Sequence, residues 1–343
     1  MSGVRKRGED IRHFIITNIE NNPYDISLLI ENQFSLSRQA AYKHLKRLID
    51  ENILTTTGTT RNKKYTLVEN NWIYGYDLNN PLEEHVVWMK DIKHHLSMFK
   101  DNVINIWAYG FSEMFNNAID HSEGTNISVH VKQTLASTEI MLMDNGVGIF
   151  KKIQKAFDLP DERIAVLELA KGKLTTDPSR HSGEGIFFTS RMFDYFDILS
   201  GGVFFTHKFN KKEDWILESQ DTYGTSVWMK MSNFAERTTK DIFNRYSSGD
   251  NYGFNHTVVP VNLAKYTDDQ LVSRSQAKRI LSRIELFKHV IFDFSGVDSI
   301  GQAFADEIFR VFALEHPSIQ LTEIHTNEDI RNMINRAKSN TLK

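Results

Sequence analysis

Four short motifs follow one another between Phe111 and Met231, and their order restricts the folds open to this chain more than any other feature. They read EMFNNAIDH from Glu113 to His121, DNGVGI from Asp144 to Ile149, GEGIFF from Gly183 to Phe188, and YGTSV from Tyr223 to Val227. Glu113, Asn117 and His121 are spaced four apart, which puts a carboxylate, an amide and an imidazole on one helix face. An isolated E-x-x-x-N is usually a solvated face, but the motifs that follow give it work. Asp144 ends the continuous apolar run TEIMLMD, read as a buried strand, so its carboxylate can face a crevice and accept a hydrogen bond from an exocyclic amine such as adenine's. Gly146 and Gly148 let the backbone approach a ring where a side chain would collide. Gly183 and Gly185 open a helix, whose exposed N–H groups suit phosphate oxygens.

In that setting the Asn117 amide oxygen can hold Mg²⁺ between phosphates, and Glu113, one turn earlier, can deprotonate a water or a hydroxyl. A phosphate-binding P-loop of the form G-x-x-x-x-G-K-[ST] is absent from the sequence, and neither GVGIFK nor GEGIFF carries the third glycine of a dinucleotide fingerprint. The ordered set resembles the GHKL superfamily of Bergerat-fold ATP-binding domains, over about Leu82 to Ser232. The resemblance implies an α/β two-layer sandwich binding ATP and Mg²⁺. It makes Asn117 the metal ligand, Glu113 the general base and Asp144 the selector of adenine. His121, Gly146, Gly148, Gly183, Gly185 and, on the adenine side, Thr225 complete the nucleotide site, and Phe150 to Ser182 would be the ATP lid. SEMFNNAIDHS with GEGIFFTSRMFDYFDIL looks closest to the anti-sigma serine kinase branch. The histidine-kinase branch fits less well, since His94 and His95 lack a phosphoacceptor context.

Upstream, helices are read from Asp10 to Asn21, from Ile26 to Gln33 and from Ser37, an N-cap, through SRQAAYKHLKRLIDEN, followed by ILTTTGTTRNKKYTL as a strand pair. Three helices and a hairpin make the order of a winged helix-turn-helix, similar in layout to MarR- or ArsR-like proteins. Arg38, Gln39, Tyr42, Lys43 and Lys46 recur on the face of the third helix opposite Leu45, Leu48 and Ile49, and Arg61, Lys63 and Lys64 form a basic hairpin tip. A basic helix face beside a basic wing fits a major groove and flanking phosphates, so DNA is the expected partner. Up to Leu67 there are 11 Lys and Arg against 7 Asp and Glu, although the whole chain carries a formal charge of -3.

VENNWIYGYDLNNP, Val68 to Pro81, reads as a linker, and Phe234 to Asn255 as a second polar connector. Beyond it HTVVPVNLA, SQAKRILSRIELF, HVIFDFS, GQAFADEIFRVFALE, SIQLTEI and EDIRNMINRA alternate strand and helix, a small α/β domain. HVIFDFSGVDSIGQAF resembles, in outline, the STAS fold of anti-sigma antagonists where that family carries D-S-S-G. Here the order is Asp298, Ser299, Ile300, Gly301, so isoleucine replaces the usual phosphoacceptor and Ser299 reads as a helix N-cap.

A chain of 343 residues suits two or three domains. The segments are 1–68, a winged helix, 82–232, a GHKL ATPase domain, and 256–343, a STAS-like module, giving a multidomain α/β fold class. The absence of cysteine excludes disulfides, thiolate catalysis and cysteine-ligated zinc. No apolar run approaches a membrane span, so a cytoplasmic location is expected, without a membrane partner. The expected function is a DNA-binding regulator switched by ATP. The alternatives are a protein serine kinase or ATPase using Glu113, and a scaffold with a degenerate pocket; the STAS-like module would bind a protein partner or a second copy.

Overall fold

The computed structural model describes residues 2–59, 62–175, 183–209, 215–247, 254–265 and 270–339. Two compact units emerge, drawn otherwise than the three sequence segments. One is Met1–Ile73 with His130–Ile140 and Met231–Phe234; the other is Tyr74–Val129 with Met141–Lys230 and Ala235–Lys343.

In the first unit α1 (Ser2–Asn18), α2 (Ile26–Phe34) and α3 (Arg38–Asp50) precede a hairpin of β1 (Leu54–Thr57) and β2 (Lys64–Leu67), paired antiparallel with Leu54 opposite Leu67. The first helix starts at Ser2 rather than Asp10, because its basic opening continues the helix and Arg7 Nη2 donates to the Phe34 carbonyl at 2.7 Å. The α2–α3 turn is tight: Ser35 is left-handed with φ 50°, and Ser37 Oγ caps α3 by accepting from Ala40 N at 3.3 Å. Ile15, Ile30, Leu45 and Leu54 form the core, which also takes in Ala136, with Leu135 and Phe234 packed on it. That shared core joins the N-terminal helices to 130–140 and 231–234, which lie far along the sequence.

The stretch read as a linker contains a strand, β3 (Asn70–Asp77), at the edge of a five-stranded sheet. Trp72, Tyr74 and Tyr76 alternate as its more buried residues, while the asparagines and Gly75 that suggested a linker occupy exposed positions. Tyr76 stands edge-on to Phe115, ring centres 5.4 Å apart, and its hydroxyl donates to Asp91 at 3.0 Å. There follow α4 (Glu84–Val87) and α5 (Lys93–Leu96), joined by a π-helical turn, then the long α6 (Asp101–His121). Next come β4 (Asn126–Gln133), β5 (Ser137–Asp144), α7 (Ile149–Ala156), α8 (Glu162–Lys171) and α9 (Gly185–Met192). The long hairpin of β6 (Tyr195–Lys208) and β7 (Trp215–Ser232) completes the sheet in the order β3-β4-β5-β7-β6. Alternate residues of β4 are buried, so the sheet seals one face, and α7, α8 and α9 pack against β6. The helix opened by Gly185 stops at Met192, since Tyr195 onward pairs with β7. The expected connector after Phe234 holds a helix, α10 (Thr239–Tyr246), started by a Thr238–Asp241 capping box.

The C-terminal part has three parallel strands, β8 (His256–Pro260), β9 (His289–Asp293) and β10 (Gln320–Ile324), in the order β10-β9-β8. Interleaved are α11 (Arg274–Leu281), then α12 (Gln302–Asp306) and α13 (Ala313–Glu315) around a π-helical stretch, and finally α14 (Glu328–Ser339). Ser299 does not cap a helix: α12 begins after Gly301, which has no side chain to do so. Ile300 is 6% exposed and bridges to Leu271, so position 300 belongs to the core. Among the described residues, no helix is long and apolar enough to cross a membrane.

Candidate functional site

A cavity of about 260 Å³ opens in the second unit between α6, the ends of β5 and β7, and the α7 to α9 segment. One face of α6 supplies Glu113, Asn117 and His121, which all line it, as do Asp144, Gly183, Gly185 and Thr225. The helical spacing read from the sequence thus becomes one polar wall. Gly146 and Gly148 lie outside the lining. A Cβ on Gly146 would fall on the Ser122 carbonyl at the end of α6, and Gly148, at φ 87°, precedes α7 with Ser200 behind it. Gly146 therefore permits the close approach of two backbone segments.

Asp144 organises one end of the cavity. Its Oδ1 accepts from Gly146 N at 2.9 Å and from Thr225 N at 3.2 Å, while Thr225 Oγ1 accepts from Ile149 N at 3.0 Å. Burial pushes the Asp144 carboxyl above the usual range, against the pull of the Gly146 and Thr225 hydrogen bonds. The result is a desolvated acceptor whose direction is fixed by two strands and a turn.

At the other end a Cβ on Gly185 would collide with Glu113 Oε2, so the carboxylate lies against the first residue of α9. Burial raises the Glu184 carboxyl, partly offset by Lys173. Burial likewise raises the Tyr109 hydroxyl, with the charges of Glu113 and Glu184 adding to the shift. Acidic groups thus concentrate at the α9 start, where a cation or a water could be held. Among the described residues no cluster of three His, Asp or Glu could hold a metal ion alone.

The sequence motifs omit several lining residues. Lys152 of α7 reaches the wall and donates to the His121 carbonyl at 2.7 Å and to Glu123 at 2.8 Å. Beside Val227 of the YGTSV motif, Leu142 and Ile198 supply apolar walls from two further strands, and Leu169 and Leu174 another from α8 and just beyond. Their only sequence signal is membership in buried runs, common to any core. Of the segment Phe150 to Ser182, residues 176–182 lie outside the described residues.

In the first unit, Arg38, Gln39, Tyr42, Lys43 and Lys46 are all exposed on α3, opposite buried Ala41, Leu45 and Leu48. Lys63 brings the hairpin to that face, its Nζ 5.4 Å from the Tyr42 ring centre and 5.1 Å from that of Tyr65. Lys64 is half-buried at the start of β2, and Arg61 lies outside the described residues.

Residues 276–331 match a family model described as a STAS-like domain of unknown function (DUF4325), so the chain carries a STAS-like domain at its C-terminal end. Among proteins of curated function, none matches the chain.

Proposed function

We propose that the chain is an ATP- and Mg²⁺-binding regulator, in which a GHKL-type cavity governs a winged-helix DNA-binding segment and the STAS-like domain. One observation carries the nucleotide reading. Gly146 N and Thr225 N converge on Asp144 Oδ1 in the same cavity that Glu113 and Asn117 line from α6. An acceptor held this rigidly in an apolar-walled pocket discriminates an amino-purine from an oxo-purine, because an unmatched buried polar group is costly.

The donor set fits the metal. Asn117 presents an amide oxygen to the cavity, and among the described residues no three acidic or imidazole groups cluster as a metal cage, which suits an ion that keeps its waters and takes its remaining ligands from phosphates. Bound Mg²⁺ would neutralise phosphate charge. Asp144 orients the base, and the N–H groups opening α9 receive phosphate oxygens. Glu113, against Gly185, accepts the proton of an attacking water or hydroxyl. That position favours the second reading, a serine kinase or ATPase, because a base beside the phosphate end is what turnover requires.

The test is to follow γ-labelled ATP and DNA binding together. Retention of a mixed-sequence duplex that changes with ATP and Mg²⁺, with label left on the nucleotide, supports the regulator. Label in free phosphate or on protein supports the second reading. Retention indifferent to ATP, with no nucleotide bound, refutes both.

A further inference from the structure

Helix α8 contributes Leu169 to the cavity wall, and Leu174 lies three residues beyond its end. Leu174 N donates to the Gly183 carbonyl at 3.2 Å, which ties this segment to the approach to α9. Across the same stretch, polar groups of Glu168, Lys171 and Lys173 are bound by the C-terminal part of the chain.

Lys171 is 1% exposed, and its ammonium donates to Glu168 at 2.7 Å, to the Arg279 carbonyl at 3.0 Å and to the Ser282 carbonyl at 2.8 Å. Those carbonyls close the end of α11, where a cation is favoured by the helix dipole. Thr257 of β8, fully buried, donates its hydroxyl to the Lys171 carbonyl at 2.6 Å. Arg283 donates to the Lys173 carbonyl and stands 3.7 Å from Glu168. Lys173 returns the contact, donating to the Leu286 carbonyl at 2.9 Å with its ammonium 4.9 Å from the Phe287 ring centre.

Helix α8 is buried from Ile164 to Lys171, and taking the Lys171 and Glu168 charges out of water is expensive unless they are paired and hydrogen-bonded, as the contacts to α11 and Arg283 pair them. Such a network is well made or lost as a unit. The geometry points to a clamp: we propose that the STAS-like domain regulates the cavity by gripping the end of α8, so that nucleotide binding and clamp closure stabilise each other. The inference rests on the nucleotide reading above. Its physical basis is that Leu169 and Leu174, which touch the ligand space, flank Lys171 and Lys173 in sequence. A ligand packed on those leucines favours the segment geometry that the clamp also favours, and linkage makes the effect reciprocal.

The experiment uses the full chain, with hydrogen exchange on wild type and ATP titration of wild type, Thr257→Val, and the pair Glu168→Gln with Lys171→Met. Thr257→Val keeps shape and removes one hydroxyl donor, so it reports on the clamp even if the paired variant does not fold. ATP with Mg²⁺ is expected to slow exchange at Thr257 and from Arg279 to Phe287, outside the cavity, as well as at its wall. Thr257→Val is expected to weaken ATP binding about fivefold to tenfold, at the low end of the usual range of coupling between sites. Protection confined to residues 142–149 and 225–227, with unchanged ATP affinity in Thr257→Val, overturns the clamp and leaves the nucleotide reading standing. Wild-type protein whose exchange ATP alters nowhere overturns both.

Discussion

Replacing Asp144 by asparagine separates ligand recognition from folding. The backbone bonds from Gly146 and Thr225 both fall on Oδ1, and an asparagine oxygen can keep them at 2.9 and 3.2 Å. What changes is the second atom of the group, from an anionic acceptor to an N–H donor. A hydrogen bond to a charged acceptor contributes about 1.5–3 kcal/mol, so ATP affinity should fall about 10- to 100-fold. Stability should hold or rise slightly, because burial already disfavours the ionised carboxylate. The native carboxyl is raised, so its contribution to ligand-free stability is full below the ordinary Asp value of about 3.9 and is lost as pH rises through the raised native value. ATP, donating to the anion, binds more tightly as pH rises through the same window, and Asp144→Asn abolishes that dependence. Calorimetric titration of both proteins with ATP and with inosine triphosphate reads all of this. Inosine triphosphate, with an oxo acceptor in place of the amine, should bind poorly to wild type and gain on ATP in the variant. Equal ATP affinity in the two proteins, or a loss matched by lower stability, would refute the reasoning.

Gly146→Ala should destabilise by about 1–3 kcal/mol in denaturant titrations, because the new methyl group would come within 2.6 Å of the Ser122 carbonyl carbon and 2.9 Å of its Cβ; an unaltered midpoint would show that the turn can yield. Neutralising Lys43, Lys46, Lys63 and Lys64 should abolish retention on mixed-sequence DNA and flatten the salt dependence by about 0.9 logarithmic units for each phosphate no longer neutralised. Unchanged retention removes the winged-helix proposal. Ile300→Ala should cost about 2–4 kcal/mol, since the side chain is 6% exposed, and phosphopeptide mapping after incubation with ATP should find Ser299 unmodified.

The contrast between α6 and the α8 clamp shows what the sequence could reveal. Glu113, Asn117 and His121 share a helix face by local periodicity, so their common wall was legible, as was the Ser37 cap three residues before Ala40. Glu168 and Lys171, an i,i+3 pair, look the same in sequence as an exposed helix pair. Only the return of α11 and β8, over a hundred and about ninety residues later, makes them buried. β3 was illegible for a different reason: its asparagines and glycine carry turn propensity, and the contacts of Tyr76 with Asp91 and Phe115 that override it are non-local. Ser299 carries helix-start chemistry two residues before Gly301, but the loop is instead fixed by Gly301 N donating to the Leu271 carbonyl at 2.8 Å, a partner that local sequence does not announce.

Photolabelling wild-type protein with 8-azido-ATP and Mg²⁺, then mapping the modified peptides, tests most directly whether adenine nucleotide occupies this cavity. The account predicts label on peptides carrying lining residues such as Leu142, Ile153, Ile198 or Val227, suppressed by excess ATP and not by GTP. Label confined to peptides without lining residues, or suppressed equally by GTP, would contradict it.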